Sequence, residues 1–134
     1  KPPLPDNEAA RLHTLRMYRI LDSGTEQAFD DLTRLAAAIC GTPMALVTFV
    51  DENRQWFKSR IGVEVEETSR DLSLARAILE KDLLVVEDAT LDRRFADNSF
   101  VTSAPSIRFY AGAQLSVADG LPLGSLCVLD SWTP

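Results

Sequence analysis

Apolar residues recur at helical spacing in two segments of the N-terminal part of the chain. The first segment predicts an amphipathic helix over residues 8–21, capped by Asp6 or Asn7, with Arg11 and the other arginines facing away from the core. Its apolar stripe consists of Leu12, Leu15, Tyr18 and Leu21. The second segment predicts a helix that Thr25 caps and Gly41 ends. Its apolar stripe consists of Phe29, Leu32, Leu35, Ala36, Ile39 and Cys40.

Short apolar runs typical of strands follow the two helices. Residues 44–50 form a continuous apolar run, as expected for a strand that is covered on both faces. Residues 54–60 alternate in polarity after a short turn and predict the second strand of a hairpin. A polar loop is expected over residues 61–70. The chain therefore changes here from helical to β structure.

The C-terminal half begins with a short predicted helix, which Asp71 caps, and a buried strand over residues 83–86. Residues 88–106 are rich in turn-forming residues and predict a long loop with helical turns. Strands over residues 107–117 and 121–129 flank Asp119-Gly120, which is a strong hairpin signal.

This order of elements predicts an α+β fold around a central antiparallel sheet of five or six strands. The proline-rich residues 1–6 are expected to form a linker, and residues 7–134 a single domain. The beginning at Lys1 and the end at Trp132-Thr133-Pro134 suggest a segment of a longer protein.

Charge and composition narrow the possible functions. The chain carries 20 acidic and 14 basic residues, a net charge of −6, which disfavours binding to nucleic acid or to an anionic membrane surface. Its two cysteines, Cys40 and Cys127, lie in apolar runs and are expected to be core thiols in a reducing, cytoplasmic setting. The single histidine, His13, has no second ligand at metal-binding spacing, so neither a metal nor another cofactor is expected.

Several strings of residues together resemble a known family. They are Arg19-Ile20-Leu21-Asp22, Leu46-Val47 to Asp51 with Arg54-Gln55-Trp56-Phe57-Lys58-Ser59-Arg60, Glu67-Thr68-Ser69-Arg70-Asp71, Arg94-Phe95-Ala96-Asp97-Asn98, Ile107-Arg108-Phe109-Tyr110-Ala111-Gly112 and Leu123-Gly124-Ser125-Leu126-Cys127-Val128-Leu129-Asp130. Over about residues 8–130 the chain resembles a bacterial GAF domain.

The resemblance implies a profilin-like or PAS-like sheet with the terminal helices on one face. A short helix and the long loop would cover a pocket on the other face. It also implies a non-catalytic sensory or regulatory domain, which binds a small molecule or mediates homodimerisation. Such a domain would be covalently linked to an output domain, a histidine kinase or a cyclic-di-GMP enzyme.

One string departs from the family pattern. Where relatives often carry a Cys-Ala-His stretch, this chain has Ser73-Leu74-Ala75-Arg76-Ala77-Ile78. A covalently attached chromophore is therefore not expected, and the motif of cyclic-nucleotide-binding relatives is also missing from the sequence. Two alternatives stay open: an enzyme similar to the free methionine-(R)-sulfoxide reductases, which share this fold, and a ligand-free structural module that dimerises.

The candidate ligand-binding residues lie on the second strand, around the short helix, and in the long loop with the strand that follows it. On that last strand Phe109 and Tyr110 point to opposite faces, and the sequence does not decide which face lines a pocket. The arginines could bind an anionic ligand or form internal ion pairs, and Asp88 could act in a site or cap a turn. The candidates are Phe57, Ser59, Arg70, Ser73, Asp88, Phe95, Phe100, Arg108, Phe109 and Tyr110.

Overall fold

The computed structural model of the chain describes residues 7–70, 72–103, 105–117 and 119–132. The side chains of residues 72–74, 76 and 99 are outside the described part. The predicted linker over residues 1–6, the proposed caps Asp6 and Asp71, and the side chain of Ser73 therefore lie outside the described residues.

The described part of the chain contains four α-helices, six strands and one 3-10 turn. The helices are α1 (Glu8–Met17), α2 (Gln27–Cys40), α3 (Leu72–Glu80) and α4 (Ser99–Thr102), and the 3-10 turn is Ala89–Leu91. The strands are β1 (Met44–Val50), β2 (Arg54–Ile61), β3 (Glu67–Ser69), β4 (Leu83–Val86), β5 (Phe109–Ser116) and β6 (Pro122–Asp130).

The six strands form one sheet in the order β3-β2-β1-β6-β5-β4. Every neighbouring pair is antiparallel, and β1 and β6 lie at the centre. The predicted α+β class and antiparallel sheet are confirmed. The predicted turn at Asp119-Gly120 is also confirmed, since Gly120 adopts a φ of 81° and its N–H donates to the Val117 carbonyl at 2.8 Å.

The two faces of the sheet are covered by different elements. On one face, α1 and α2 enclose an apolar cluster centred on Leu15, Val47, Phe49 and Trp56. On the other face, α3, the 3-10 turn and α4 enclose a larger cluster. This division agrees with the expected arrangement. The layer on the second face covers a cavity.

Helix α1 is shorter than predicted. It ends at Met17, and Arg19 and Asp22 have φ values of 53° and 59°, which a helix cannot accommodate. Tyr18, predicted to lie on the apolar stripe, is therefore 63% exposed. The orientation predicted for Arg11 is also wrong, because its side chain is fully buried.

Helix α2 has the predicted extent, but the residue types facing the sheet differ from those predicted. Its first flanking residue is Glu26 rather than Thr25, and no side chain caps it. Thr33 faces the sheet and donates to Asp30 O at 2.9 Å, while Leu35 and Ile39 are exposed. Cys40 is also exposed, so the prediction that it is a core thiol is wrong. The helix ends as predicted, with Gly41 in the left-handed region at φ 65°.

Strand β3 lies in the segment that the sequence predicts as a polar loop. It pairs with the start of β2, where Gln55 lies opposite Thr68. Its three residues are too few to show a periodic pattern, and only the pairing with β2 identifies it as a strand.

A β-bulge interrupts β2 near its middle. Thr48 lies opposite Phe57 and Val47 lies opposite Ser59, so Lys58 is the additional residue. Because each residue along a strand changes face, an additional residue reverses the faces beyond it. Phe57 therefore faces α3 and α4, whereas Ser59 faces α2.

Among the described residues, no helix has both the length and the apolar character needed to cross a membrane.

Candidate functional site

A cavity of about 260 Å³ lies between the sheet and the layer of α3, the 3-10 turn and α4. Residues from β1, β2, β3, β5 and β6 form its floor, and residues from the covering layer form its roof. The lining residues are Leu46, Thr48, Gln55, Phe57, Thr68, Ser69, Ile78, Ala89, Phe95, Asp97, Asn98, Phe100, Val101, Ile107, Tyr110, Cys127 and Leu129. The cavity thus lies where the sequence predicts a pocket.

Four of the candidate residues are brought together as aromatic walls of this cavity. The rings of Phe57 and Phe100 are 6.4 Å apart at an interplanar angle of 57°. The rings of Phe95 and Tyr110 are stacked, with centroids 6.3 Å apart and an angle of 22°. The structure also decides the face of β5 that the sequence left open, since Tyr110 lines the cavity.

A polar edge of the cavity is formed by β2 and β3. Gln55 is 5% exposed, lines the cavity, and lies beside Thr68 in the sheet. In the described part of the chain no hydrogen bond engages its side-chain amide. Among the described residues, the buried side-chain atoms that lack a hydrogen-bond partner are Asp51 Oδ1 and Arg70 Nε, and the Gln55 amide is not one of them. Sequence reasoning missed Gln55, although its alternation with Phe57 on the same strand face was a usable signal.

A short chain of hydroxyl groups lies beneath the cavity. Thr48 Oγ1 and Ser125 Oγ are 3.1 Å apart, and Tyr110 Oη lies 3.5 Å from Ser125 Oγ. Burial raises the pKa of the Tyr110 hydroxyl and raises the pKa of the Cys127 thiol to about 12. Cys127 is therefore a buried, protonated thiol, as the sequence predicts, and not a thiolate nucleophile.

Three polar candidates are directed away from the cavity into structural contacts. Arg70 Nη1 donates to Glu8 Oε2 at 2.6 Å, on the side of α1. Asp88 caps the 3-10 turn by accepting from Thr90 N at 3.0 Å. Arg108 Nη1 donates to the carbonyls of Val101 and Ile107 at 3.1 and 3.0 Å.

Two further candidates lie on the opposite face of the sheet or outside the cavity. Ser59 faces α2 because of the bulge, and its hydroxyl donates to Asp30 Oδ1 at 2.6 Å and lies 2.8 Å from Thr33 Oγ1. Phe109 follows the alternation of β5 and is directed away from Tyr110. Of the described candidates, Phe57, Phe95, Phe100 and Tyr110 line the cavity, and the other five do not.

The additional residue of the bulge, Lys58, holds the loop between α1 and α2. Its side chain is fully buried, and Nζ donates to Ser23 Oγ at 2.7 Å and to the Gly24 carbonyl at 2.5 Å. Nζ also forms an ion pair with Glu26 at 2.5 Å and lies 5.7 Å from the centroid of the Phe29 ring. The charge is thus fully engaged in structure.

A buried ionic network connects α1 to the strand that lines the cavity. Glu8 accepts from Arg11 Nε at 3.1 Å and from Arg70 Nη1, and Arg11 Nη1 donates to the Val50 carbonyl at 2.6 Å. Burial alone would raise the pKa of Glu8, but the two arginines outweigh it and hold that pKa below its usual value. Since Arg70 directly follows β3, the network joins the cavity edge to α1.

Comparison with known proteins gives one relative with clear sequence similarity. A cyclic di-GMP phosphodiesterase of Pseudomonas aeruginosa is 45% identical over 130 residues, which are 96% of this chain and 22% of that protein. The chain thus spans about a fifth of the length of the curated relative that it matches.

Solved structures share the fold at low sequence identity. The GAF domain of an Acinetobacter phosphoenolpyruvate-protein phosphotransferase superposes with a TM-score of 0.64 and 14% identity, over 98% of this chain and 81% of that one. A type II free methionine-R-sulfoxide reductase of Thermoplasma acidophilum also has a TM-score of 0.64, at 10% identity, over 89% of this chain and 79% of that one. These similarities show the fold alone.

The family model described as "GAF domain" matches residues 24–134. This range includes the whole sheet, α2 and the layer of α3, the 3-10 turn and α4 over the cavity, and the resemblance read from the sequence is confirmed. The chain belongs to the GAF domain family.

Proposed function

We propose that this GAF domain is a non-catalytic sensory module that binds a small molecule in the 260 Å³ cavity and regulates an attached output domain. One observation carries the proposal: a cavity with four aromatic side chains in its walls is lined at one edge by two polar residues of adjacent strands, Gln55 and Thr68. Pockets of this kind, apolar with a few convergent polar groups, are typical ligand sites.

The arrangement of the cavity walls supports a regulatory role. Ile78, Ala89, Phe95 and Phe100 reach the cavity from α3 and from the segment between β4 and β5, while the floor belongs to the sheet. A ligand that touches both layers favours the conformation in which they are closest, and this is a population shift. We therefore propose that occupancy orders residues 88–106.

The network around Glu8 offers a route from the cavity to α1. Thr68 and Ser69 line the cavity, and the next residue, Arg70, donates to Glu8 of α1 at 2.6 Å. A displacement of β3 on ligand binding would therefore move a buried ion pair of the N-terminal helix. Packed ion pairs have discrete arrangements, so such a coupling can be two-state.

The similarity to a cyclic di-GMP phosphodiesterase supports a cyclic-di-GMP enzyme as the output domain. For the histidine kinase alternative the similarity is to a solved domain of a putative two-component sensor histidine kinase at 16% identity, which shows the fold alone. A homodimer and a cytoplasmic setting remain predictions, and exposed Leu32, Leu35 and Ile39 on α2 are the residues on which a dimer interface could form.

The reductase alternative has less support from the chemistry of the thiols. Cys127 lines the cavity with its pKa raised to about 12, so it is a poor nucleophile. Cys40 is exposed at the end of α2, on the other face of the sheet.

Native mass spectrometry of the gently purified chain tests the sensory proposal. We expect a reproducible bound mass on the wild-type chain and its loss in Thr68→Phe, because the added phenyl ring occupies the cavity. Ala38→Phe is the matched control, since it places the same ring on the exposed surface of α2. A wild-type chain without bound mass, or a mass that persists in Thr68→Phe, would contradict the proposal.

A further inference from the structure

We propose that the cavity selects an uncharged, planar heterocycle of one or two rings that presents a carboxamide-type edge to Gln55. This inference rests on the proposed function and adds the chemical class of the ligand. It excludes molecules that carry a phosphate or a carboxylate, including the cyclic dinucleotide that the sequence relative's name would suggest.

The charges around the cavity disfavour an anionic ligand. Among the described residues that line it there is no lysine or arginine, and Asp97 lies at its edge. Three arginines near the cavity whose side chains the structure describes are engaged elsewhere, since Arg70 donates to Glu8, Arg94 to Asp92 and Arg108 to backbone carbonyls. An anion placed in this cavity would lose its hydration without gaining a cationic partner, which is strongly unfavourable.

The size and walls of the cavity favour a small flat molecule. An engineered apolar cavity of about 150 Å³ holds one benzene ring, so about 260 Å³ leaves room for one or two rings. Phe57 and Phe100 on one side, with Phe95 and Tyr110 on the other, offer ring faces and edges for stacking.

The polar residues at the edge of the cavity indicate which functional group the ligand carries. A glutamine amide presents a donor and an acceptor side by side, and the matching group has an adjacent acceptor and donor, as in a carboxamide, a lactam or the amino edge of a purine. The Thr68 hydroxyl is a second polar group at the same edge, because Thr68 lies opposite Gln55 in the sheet. A ligand of this class would therefore bond to the Gln55 amide at the polar edge of the cavity.

Calorimetric titration with a matched pair of probes tests this inference. Nicotinamide and nicotinate have the same ring and nearly the same size, but only nicotinate is anionic at pH 7. We expect nicotinamide to bind the wild-type chain at least tenfold more tightly than nicotinate. Adenine serves as a two-ring probe of the same class, and adenosine 5′-monophosphate is its phosphorylated counterpart. We expect adenine to bind more tightly than adenosine 5′-monophosphate.

Variants assign the binding to the cavity and to Gln55. Gln55→Leu keeps the size of the side chain and removes the amide, so we expect at least a tenfold loss of nicotinamide affinity. Thr68→Phe should abolish binding, and Ala38→Phe should leave it unchanged. Circular dichroism confirms that each variant is folded, and Gln55→Met is the second variant should Gln55→Leu fail this check.

The outcomes separate the ligand class from the sensory function. Equal or tighter binding of nicotinate or adenosine monophosphate, lost in Thr68→Phe, overturns the ligand class and keeps the cavity as a ligand site. Binding of none of the four probes also overturns the class, while a cavity-dependent mass in native mass spectrometry would still support the sensory function. A retained mass that contains phosphorus would also overturn the ligand class while supporting the sensory function.

Discussion

Gln55 is the residue at which the needs of folding and of binding differ most clearly. It is almost fully buried beside Thr68, and its amide has no hydrogen-bond partner in the part of the chain that the structure describes. An apolar side chain at this buried position would serve the core, whereas the amide offers a ligand both a donor and an acceptor.

We therefore expect Gln55→Leu to change the free energy of unfolding of the ligand-free chain by less than about 0.5 kcal/mol, because no hydrogen bond of the described chain is lost with the amide. Gln114→Leu is the matched control. The Gln114 amide donates to the carbonyls of Ile78 and Leu79 at 3.3 and 3.1 Å, so its loss should destabilise the chain by about 1 kcal/mol. Urea unfolding of the two variants measures both values, and a Gln55→Leu variant destabilised as much as Gln114→Leu would contradict this account.

At the scale of elements, one glycine allows the two central strands of the sheet to lie close together. Gly124 of β6 lies opposite Phe49 of β1, and a Cβ atom built on it would lie 1.8 Å from the Thr48 carbonyl oxygen. Because that oxygen belongs to the backbone of a buried strand, a side chain here requires the two strands to separate.

Gly124→Ala is accordingly expected to destabilise the chain by about 3 kcal/mol, near the upper end of the usual cost of overpacking. Gly24→Ala is the control, since a Cβ atom on Gly24 meets nothing within 4 Å. Thermal unfolding of both variants gives the comparison. Similar melting temperatures for the two would show that β1 and β6 separate at little cost.

The elements also show what a sequence pattern can and cannot predict. Periodic segments such as α2 and β1 were predicted with nearly correct bounds, because their apolar spacing repeats over several residues. The face of α2 was not predicted, since Thr33 faces the sheet through hydrogen bonds that depend on the distant Ser59. Strand β3 was missed because its identity depends on pairing with β2 and not on its own residues.

The candidate site was predicted only in part, because contacts with residues distant in sequence also decide where its side chains lie. Aromatic residues such as Phe57 and Tyr110 were identified because large apolar side chains near a loop tend to be buried there. Arg70 and Arg108 were expected in the pocket, but each found acceptors elsewhere in the fold. The destination of a long charged side chain depends on partners that are distant in sequence, so local pattern does not determine it.

At the scale of the whole molecule, the buried network of Glu8, Arg11 and Arg70 joins the N-terminal helix to the far edge of the sheet. Arg11 and Arg70 have side-chain exposures of 0% and 2%, and both donate to Glu8. Removal of the carboxylate would leave two buried cations without their shared partner, which is more costly than the loss of a surface ion pair.

Glu8→Gln is expected to lower the free energy of unfolding by about 3 kcal/mol at pH 7. The pKa of Glu8 is lowered in the folded chain, so its contribution is fully present above the unfolded value of about 4.3 and is lost as the pH falls through the folded value. The wild-type chain should therefore lose more stability than Glu8→Gln between pH 6 and pH 3. Urea unfolding across this range checks the prediction, with the exposed Glu52→Gln as control. Parallel pH profiles of wild type and Glu8→Gln would exclude the expected role of Glu8.

The bulge at Lys58 shifts the alternation of side chains along β2 by one residue. Before it, Gln55 and Phe57 face the cavity and Trp56 faces the helices, and after it Ser59 faces the helices although its number is odd. In a relative with the bulge before Phe57, that residue would face the helices, and a different set of side chains would face the ligand. Ligand specificity in such domains can therefore change with the position of one bulge, without any substitution in the pocket.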